Sequence, residues 1–232
     1  WERHQEEAPA TAPTALFLDE RQPDGSPSRP PLAVTFVETA TDMALHPPSG
    51  DLLLTSGGQV HRLRMPSRVY AGSFTVDRTD GPYGRVTVTS AGHVALARPD
   101  TREVAVFSLD GQPVERLSVS PHVPLATATD ALGSLHVLVR PPDPDDSGGA
   151  LIVSFTASGP RTLTAGALGA PPPPATTWPW SLAAGGDGLA FLTARKRFQV
   201  HRTDPDGSPR EPILGTVARP EFVPQPDDLR PT

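Results

Sequence analysis

The stretch YGRVTVTSAGHVALARPDTREVAVFSLDGQPVERLSV, from Tyr83 to Val119, decides how the rest of the chain is read. Val86 and Val88 alternate with Arg85, Thr87 and Thr89 until Ser90-Ala91-Gly92 interrupts the run. Val94 and Leu96 resume the alternation, and Pro99-Asp100-Thr101 breaks it again. Val104 and Val106 follow, then Phe107 and Leu109, and Asp110-Gly111 supplies a hairpin turn before Val114, Leu117 and Val119. Apolar residues at every second position, punctuated by Gly, Pro and Asp, predict short strands joined by tight turns. Four such strands in sequence make one up-and-down antiparallel sheet. Both faces of that sheet need covering, so it must be one unit of a repeated structure.

The same rhythm recurs. Met43 to Val76 reads as four strands with turns at Ser49-Gly50-Asp51 and Gly57-Gly58, and Leu125 to Thr164 and Ser181 to Leu214 repeat it. The first-turn glycines Gly50, Gly92, Gly133 and Gly188 are spaced by 42, 41 and 55 residues, the last interval lengthened by the insertion GAPPPPATTWPW at Gly169 to Trp180. A period near forty with four strands per unit is the mark of a β-propeller blade. LFLDERQPDGSPSRPPLAV, residues 16–34, matches the final hairpin of the other units and lacks their first two strands. The expected fold is therefore an all-β propeller of about five blades, with four blades or an open arc as alternatives. It comprises a partial blade at 14–37 and blades at about 40–76, 83–119, 124–165 and 180–215. GTVARPEFV, residues 215–223, is a candidate for the missing part of the first blade. Proline-rich extended tails at 1–13 and 224–232 flank the propeller.

Two units carry a closer likeness. Ala91-Gly92-His93-Val94-Ala95-Leu96, then Arg102-Glu103-Val104-Ala105-Val106-Phe107, then Asp110-Gly111, resembles the NHL-type and six-bladed propeller repeats of bacteria, and Ser181 to Leu214 follows the same order. The acidic residue usual after the second strand is replaced by Arg98 or Thr55. The resemblance implies a packing scheme, because such a fold hosts many functions.

Composition narrows the classes. Thirty prolines in 232 residues discourage helices and favour short strands and stiff loops. The net charge is −6 and Lys196 is the only lysine; the Arg, Ala, Pro and Gly content fits a GC-rich bacterial genome. No concentrated basic face is visible outside Arg195-Lys196-Arg197, which argues against nucleic acid as a partner. No apolar run is long enough to span a bilayer. Zero cysteine excludes disulfides and thiolate metal sites and leaves the compartment open, with a leaning to an extracytoplasmic, membrane-peripheral location. The start at Trp1, without Met, fits a removed leader, a lost anchor or a boundary.

No motif for hydrolase, metalloprotease, nucleotide or dinucleotide chemistry occurs, and the chain is read as non-enzymatic, with no cofactor and no metal. Gly185-Gly186-Asp187-Gly188 is turn chemistry. Asp143 to Gly149 resembles the start of a calcium loop but lacks a closing Glu, so it reads as a solvated loop. The strongest candidate contact residues are Trp178, Pro179 and Trp180, two rigid indoles beside a polyproline segment, together with Arg195, Lys196 and Arg197. They point to other protein subunits as partners, those of a membrane-associated complex included. The competing reading places an enzyme or a glycan or metal binder at the central channel, built from His93, His136, Arg98, Arg140 and Arg195.

Overall fold

The computed structural model describes residues 16–37, 40–65, 67–76, 85–143, 151–163, 181–185, 188–195, 197–204 and 208–210. Both expected tails, the calcium-like stretch beyond Asp143, the Trp178-Pro179-Trp180 segment, Lys196 and residues 215–223 lie outside these. Among the described residues there is no helix.

A two-stranded antiparallel sheet comes first, β1 (Leu16–Leu18) with β2 (Leu32–Val34). Four sheets of four strands follow. The first holds β3 (Asp42–His46), β4 (Asp51–Ser56), β5 (Gln59–Arg64) and β6 (Val69–Thr75). The second holds β7 (Val86–Val88), β8 (Val94–Arg98), β9 (Glu103–Phe107) and β10 (Pro113–Ser118). The third holds β11 (Val123–Thr129), β12 (Leu135–Arg140), β13 (Leu151–Thr156) and β14 (Gly159–Leu163). The fourth holds β15 (Ser181–Gly185), β16 (Gly188–Arg195), β17 (Arg197–Thr203) and β18 (Pro209–Arg210). Each sheet is a meander in which neighbours in sequence are neighbours in space and all pairs are antiparallel. The all-β propeller architecture read from the repeat is the one observed, with four full sheets and one partial.

Burial within a sheet follows strand order. All five residues of β8 are buried, and so are five of the six in β12, so both faces of these second strands are covered. The fourth strands β6 and β10 lie largely in solvent. First strands of successive sheets lie against one another, β3 with β7, β7 with β11 and β11 with β15. The sheets are therefore arrayed around their first strands, which is the blade order of a propeller.

Alternating apolar residues form the joints between sheets. Leu53, Val60 and Val76 from one face of the first sheet meet Val86, Val94 and Leu96 from the facing side of the second. Ala95, Val104 and Val106 on the second sheet's other face meet Leu135, Val137 and Val139 of the third. Because the side-chain period is two, each second strand supplies both joints: Val94 and Leu96 point back, and Ala95 points forward. The β1–β2 pair closes on the first sheet in the same manner, with Val34 and Val37 packed on Leu54. Phe36 adds a tilted stack on Tyr70 with ring centroids 4.4 Å apart. Arg68 Nη1 donates to the Pro30 carbonyl at 2.7 Å and Nη2 pairs with Glu20 at 3.0 Å.

Polar clamps lock the registers at both ends of the sheets. At the start of the first strands, Asp42 Oδ1 accepts from Arg85 Nη1 at 2.9 Å and Oδ2 from the Val86 amide at 2.8 Å. Thr127 of the third sheet donates to the Arg85 carbonyl at 3.3 Å. At the other end, the turn glycines Gly50, Gly92 and Gly133 share positive φ values of 72°, 77° and 89°, a conformation open to residues without a Cβ. Gly133 also lies so close to the second sheet that a Cβ there would sit 2.6 Å from Ser90 Oγ.

Among the described residues, Asp42 is the side chain that joins two first strands through both carboxylate oxygens. Asp42→Ala is expected to cost about 1–3 kcal/mol, because it strands the Val86 amide and part of the Arg85 guanidinium without their partner. Urea unfolding of the variant should show a lower midpoint at unchanged slope. An unmoved midpoint would show that the clamp contributes nothing.

Candidate functional site

Strand direction sorts the loops into two ends. Contacts between the starts of β3 and β7, and between their following turns, make the first strands parallel to one another. In a four-strand meander the turns after the first and third strands then share one end. The turn after the second strand lies at the other end, along with the link from each fourth strand to the next sheet.

At the first end the turns are tied together. His46 Nε2 donates to the Gly92 carbonyl at 2.9 Å, while its Nδ1 accepts from the Ser49 amide at 3.2 Å, so this imidazole bridges two turns as the Nε2–H tautomer. Arg62 binds Asp51 with Nη2 at 2.9 Å and Nε at 3.2 Å. Its Nη1 reaches the second sheet's hairpin, at the Leu109 carbonyl and Asp110 Oδ1, both at 3.3 Å. A groove of about 430 Å³ opens here between the second and third sheets, floored by Val106, Leu117, Leu135 and Phe155 and edged by Thr89, His93, Glu115 and Thr156. Its size suits a small ligand.

One constellation escaped sequence reading. Asp130 Oδ2 accepts from His136 Nε2 at 2.9 Å, and His136 Nδ1 lies 2.7 Å from Ser154 Oγ. The order Asp–His–Ser is that of a nucleophilic triad, but His136 and Ser154 are both buried, so no substrate reaches the hydroxyl. Asp130 also accepts from the Leu132 and Ser134 amides, at 2.9 and 2.8 Å. The network thus fastens the third sheet's first turn to its second and third strands. Separations of six and eighteen residues carried no signal of this in the sequence; the β12–β13 pair His136↔Ser154 creates it.

The described channel candidates bond within their own sheets or turns. His136 and Arg98 lie in second strands and bond within their own sheets, Arg98 to Glu103 at 2.8 Å. Arg140 donates to the neighbouring Pro141 carbonyl at 3.1 Å. His93, read as a second-strand residue, sits instead in the turn just before β8, where Thr89 Oγ1 accepts from its amide at 3.0 Å. His61 is in the third strand as expected, at 5.8 Å from the Phe36 ring, and burial lowers its pKa below the ordinary 6.5. No group of three His, Asp or Glu among the described residues could hold a metal ion. Likewise, no described helix is long and apolar enough to cross a membrane.

Two of the partner-contact candidates, Arg195 and Arg197, lie at the second end. Arg195 and Arg197 are cross-strand partners closing the turn from β16 to β17, the second and third strands of their sheet. The 164–180 connection, which carries Trp178, Pro179 and Trp180, joins the last strand of the third sheet to the first of the fourth. The link from β12 to β13, which begins at Pro141, belongs to the same end.

No family model and no curated protein matches this chain. Solved structures do. A streptogramin B lyase is similar with a TM-score of 0.53 at 15% identity over 74% of this chain and 53% of that one. Hydrazine synthase of Kuenenia stuttgartiensis gives 0.55 at 14% over 77% and 49%. A nidogen/laminin complex gives 0.57 at 10% over 86% and 75%. These are β-propeller proteins, and at such identities the likeness concerns the fold alone. The chain spans about half the length of the first two.

Burial pulls the Asp130 carboxyl upward, but the bonds from His136, Ser134 and Leu132 outweigh it and hold the group below its ordinary 3.8. A carboxyl depressed in the fold adds stability above its unfolded pKa and loses it as pH falls through the folded value. Asp130→Asn should therefore be less stable than the parent at pH 7, and the gap should close below about pH 4. Urea midpoints measured across this range test it; a gap of constant size would remove the carboxylate from the account.

Proposed function

We propose that this chain is a non-enzymatic interaction module with NHL-type repeats, an accessory subunit of a larger bacterial assembly that meets its protein partners through one end of a rigid propeller. One observation supports the reading: by strand direction, three links of independent sequence leave the described strands on the same side of the meander. These are the link after β12, the connection that holds Trp178, Pro179 and Trp180, and the Arg195 to Arg197 turn. In this reading tryptophan and arginine, residue types enriched at protein interfaces, share one face with an acidic loop. Loops presented on a stiff scaffold also lose little freedom on docking. The competing reading, chemistry at the channel, needs convergent polar groups, and the side chains of His136 and Arg98 are engaged inside their own sheets.

The test is recovery of the native protein with its companions, followed by mass spectrometry and sizing. Companion subunits in fixed ratio are expected, and Trp178→Ala with Trp180→Ala should lower their recovery about tenfold, near 1.4 kcal/mol, with an unchanged melting curve. Arg195→Glu with Arg197→Glu should weaken recovery further as salt is lowered. A lone monomer would overturn the proposal. Unfolding of the tryptophan variant with no partner present would assign both indoles to the core instead.

A further inference from the structure

Two successive joints between sheets differ at the first end. Between the first and second sheets the joint is sealed there. The hairpin that joins Phe107 to its partner Pro113 has five residues, and Gly111 within it lies so near Phe74 that a Cβ would sit 2.5 Å from the Phe74 Cβ. Arg62 adds a bridge, bound to Asp51 on its own sheet and reaching over to the Leu109 carbonyl and Asp110. Between the second and third sheets the corresponding hairpin has only Ala157 and Ser158 between the paired Thr156 and Gly159. It covers less, and the groove of about 430 Å³ remains.

That groove has a carboxylate and no cation to match it. Arg62 is the fourth residue of β5 and Val106 the fourth of β9, both strands beginning at the pair that closes the preceding turn, Ser56↔Gln59 and Arg98↔Glu103. Their partners on the fourth strands are Gly72 and Glu115. Asp51, the acid that Arg62 binds, leaves the first sheet's first turn where His93 leaves the second's. The carboxylate has thus moved from the second strand to the fourth, and none of the groove's lining residues is Lys or Arg. A bulge at Val114 sets Glu115 opposite Val106, on the face turned to the third sheet, while Val114 itself is 48% exposed. Among the described residues neither the Glu115 carboxylate nor the His93 ring has a hydrogen-bond or ion-pair partner.

We propose that the groove binds a small organic ammonium, its apolar body on Val106, Leu117, Leu135 and Phe155 and its N–H groups on Glu115. The ligand's charge then takes the role that Arg62 plays in the joint before. This goes beyond the partner-binding reading, because the groove lies at the first end, away from the Arg195 to Arg197 turn, and needs no second protein. Contact with the floor removes apolar surface from water on both sides. A charge-assisted hydrogen bond at the edge of a partly enclosed, apolar site fixes the orientation and outweighs a neutral one. A neutral ligand of the same shape gains the contact alone, and an anionic one is repelled by Glu115.

The probes are benzylammonium, benzyl alcohol, which keeps the ring without the charge, and methylammonium, which keeps the charge without the ring. Titrated into the full chain at low salt and followed by backbone amide shifts, benzylammonium should bind at least about tenfold more tightly than either. The shifts should centre on Leu117, Leu135 and Phe155. Glu115→Gln should reduce benzylammonium to the affinity of benzyl alcohol, and Ala157→Phe, which fills the groove from its hairpin wall, should abolish the binding of both. Glu115 is exposed, so its amide variant keeps the fold and decides alone if Ala157→Phe does not. Equal affinities for benzylammonium and benzyl alcohol would remove the charge from the site. Full affinity in Glu115→Gln would place the cation elsewhere on the chain, and no saturation by about 10 mM benzylammonium would leave the groove without a ligand of this class. Each of these three results overturns the proposal.

Discussion

A β-strand that is apolar on both sides cannot meet water on either, and β8 is such a strand, with every residue from Val94 to Arg98 buried. The hydrophobic effect acts on both faces of the sheet that contains it, at about 25 cal/mol for each Å² removed from water. No single partner can satisfy that demand, so sheets must stack on both sides, each lending one face to the next. The Leu53–Val86–Leu96 joint and the Ala95–Val106–Val137 joint are two consecutive instances. The remaining features follow from this stacking. First strands crowd together, fourth strands drift into solvent, and turns gather at two ends.

Stacking also determines where polar groups can go. Those caught between sheets must find partners, because an unpaired buried donor or acceptor costs about as much as the apolar contacts around it contribute. His46 therefore spans two turns, Asp42 grips both Arg85 and the Val86 amide, and His136 is held between Asp130 and Ser154. These residue types also serve catalysis, yet here their hydrogen-bonding capacity is taken up by the scaffold.

Much of the scaffold was legible from one chain. The alternation of Val86 and Val88, then Val94 and Leu96, then Val104 and Val106, maps onto β7, β8 and β9, and the glycine period places the sheet boundaries. Partial repeats were legible too, because Leu16 to Val34 lacked two strands by inspection and pairs as two strands alone. Contacts between distant residues were not legible. Nothing around His136 marks Ser154 as its neighbour, and nothing around Asp42 marks Arg85, since each contact depends on how strands pair or sheets stack. His93 was assigned to a strand because it lies next to an apolar run, but it closes the three-residue turn after Thr89: its carbonyl accepts from the Thr89 amide and its amide bonds the Thr89 hydroxyl, and β8 begins one residue later.

By itself the sequence determined the local periods: alternation of two within strands, about forty between units, and glycine where the chain must turn with positive φ. These depend on neighbours along the chain, so they can be read from it. Tertiary structure alone decided which face each alternating residue meets and which loops share an end. Those outcomes depend on strand direction and on what packs across a gap, quantities set by residues forty or more positions away.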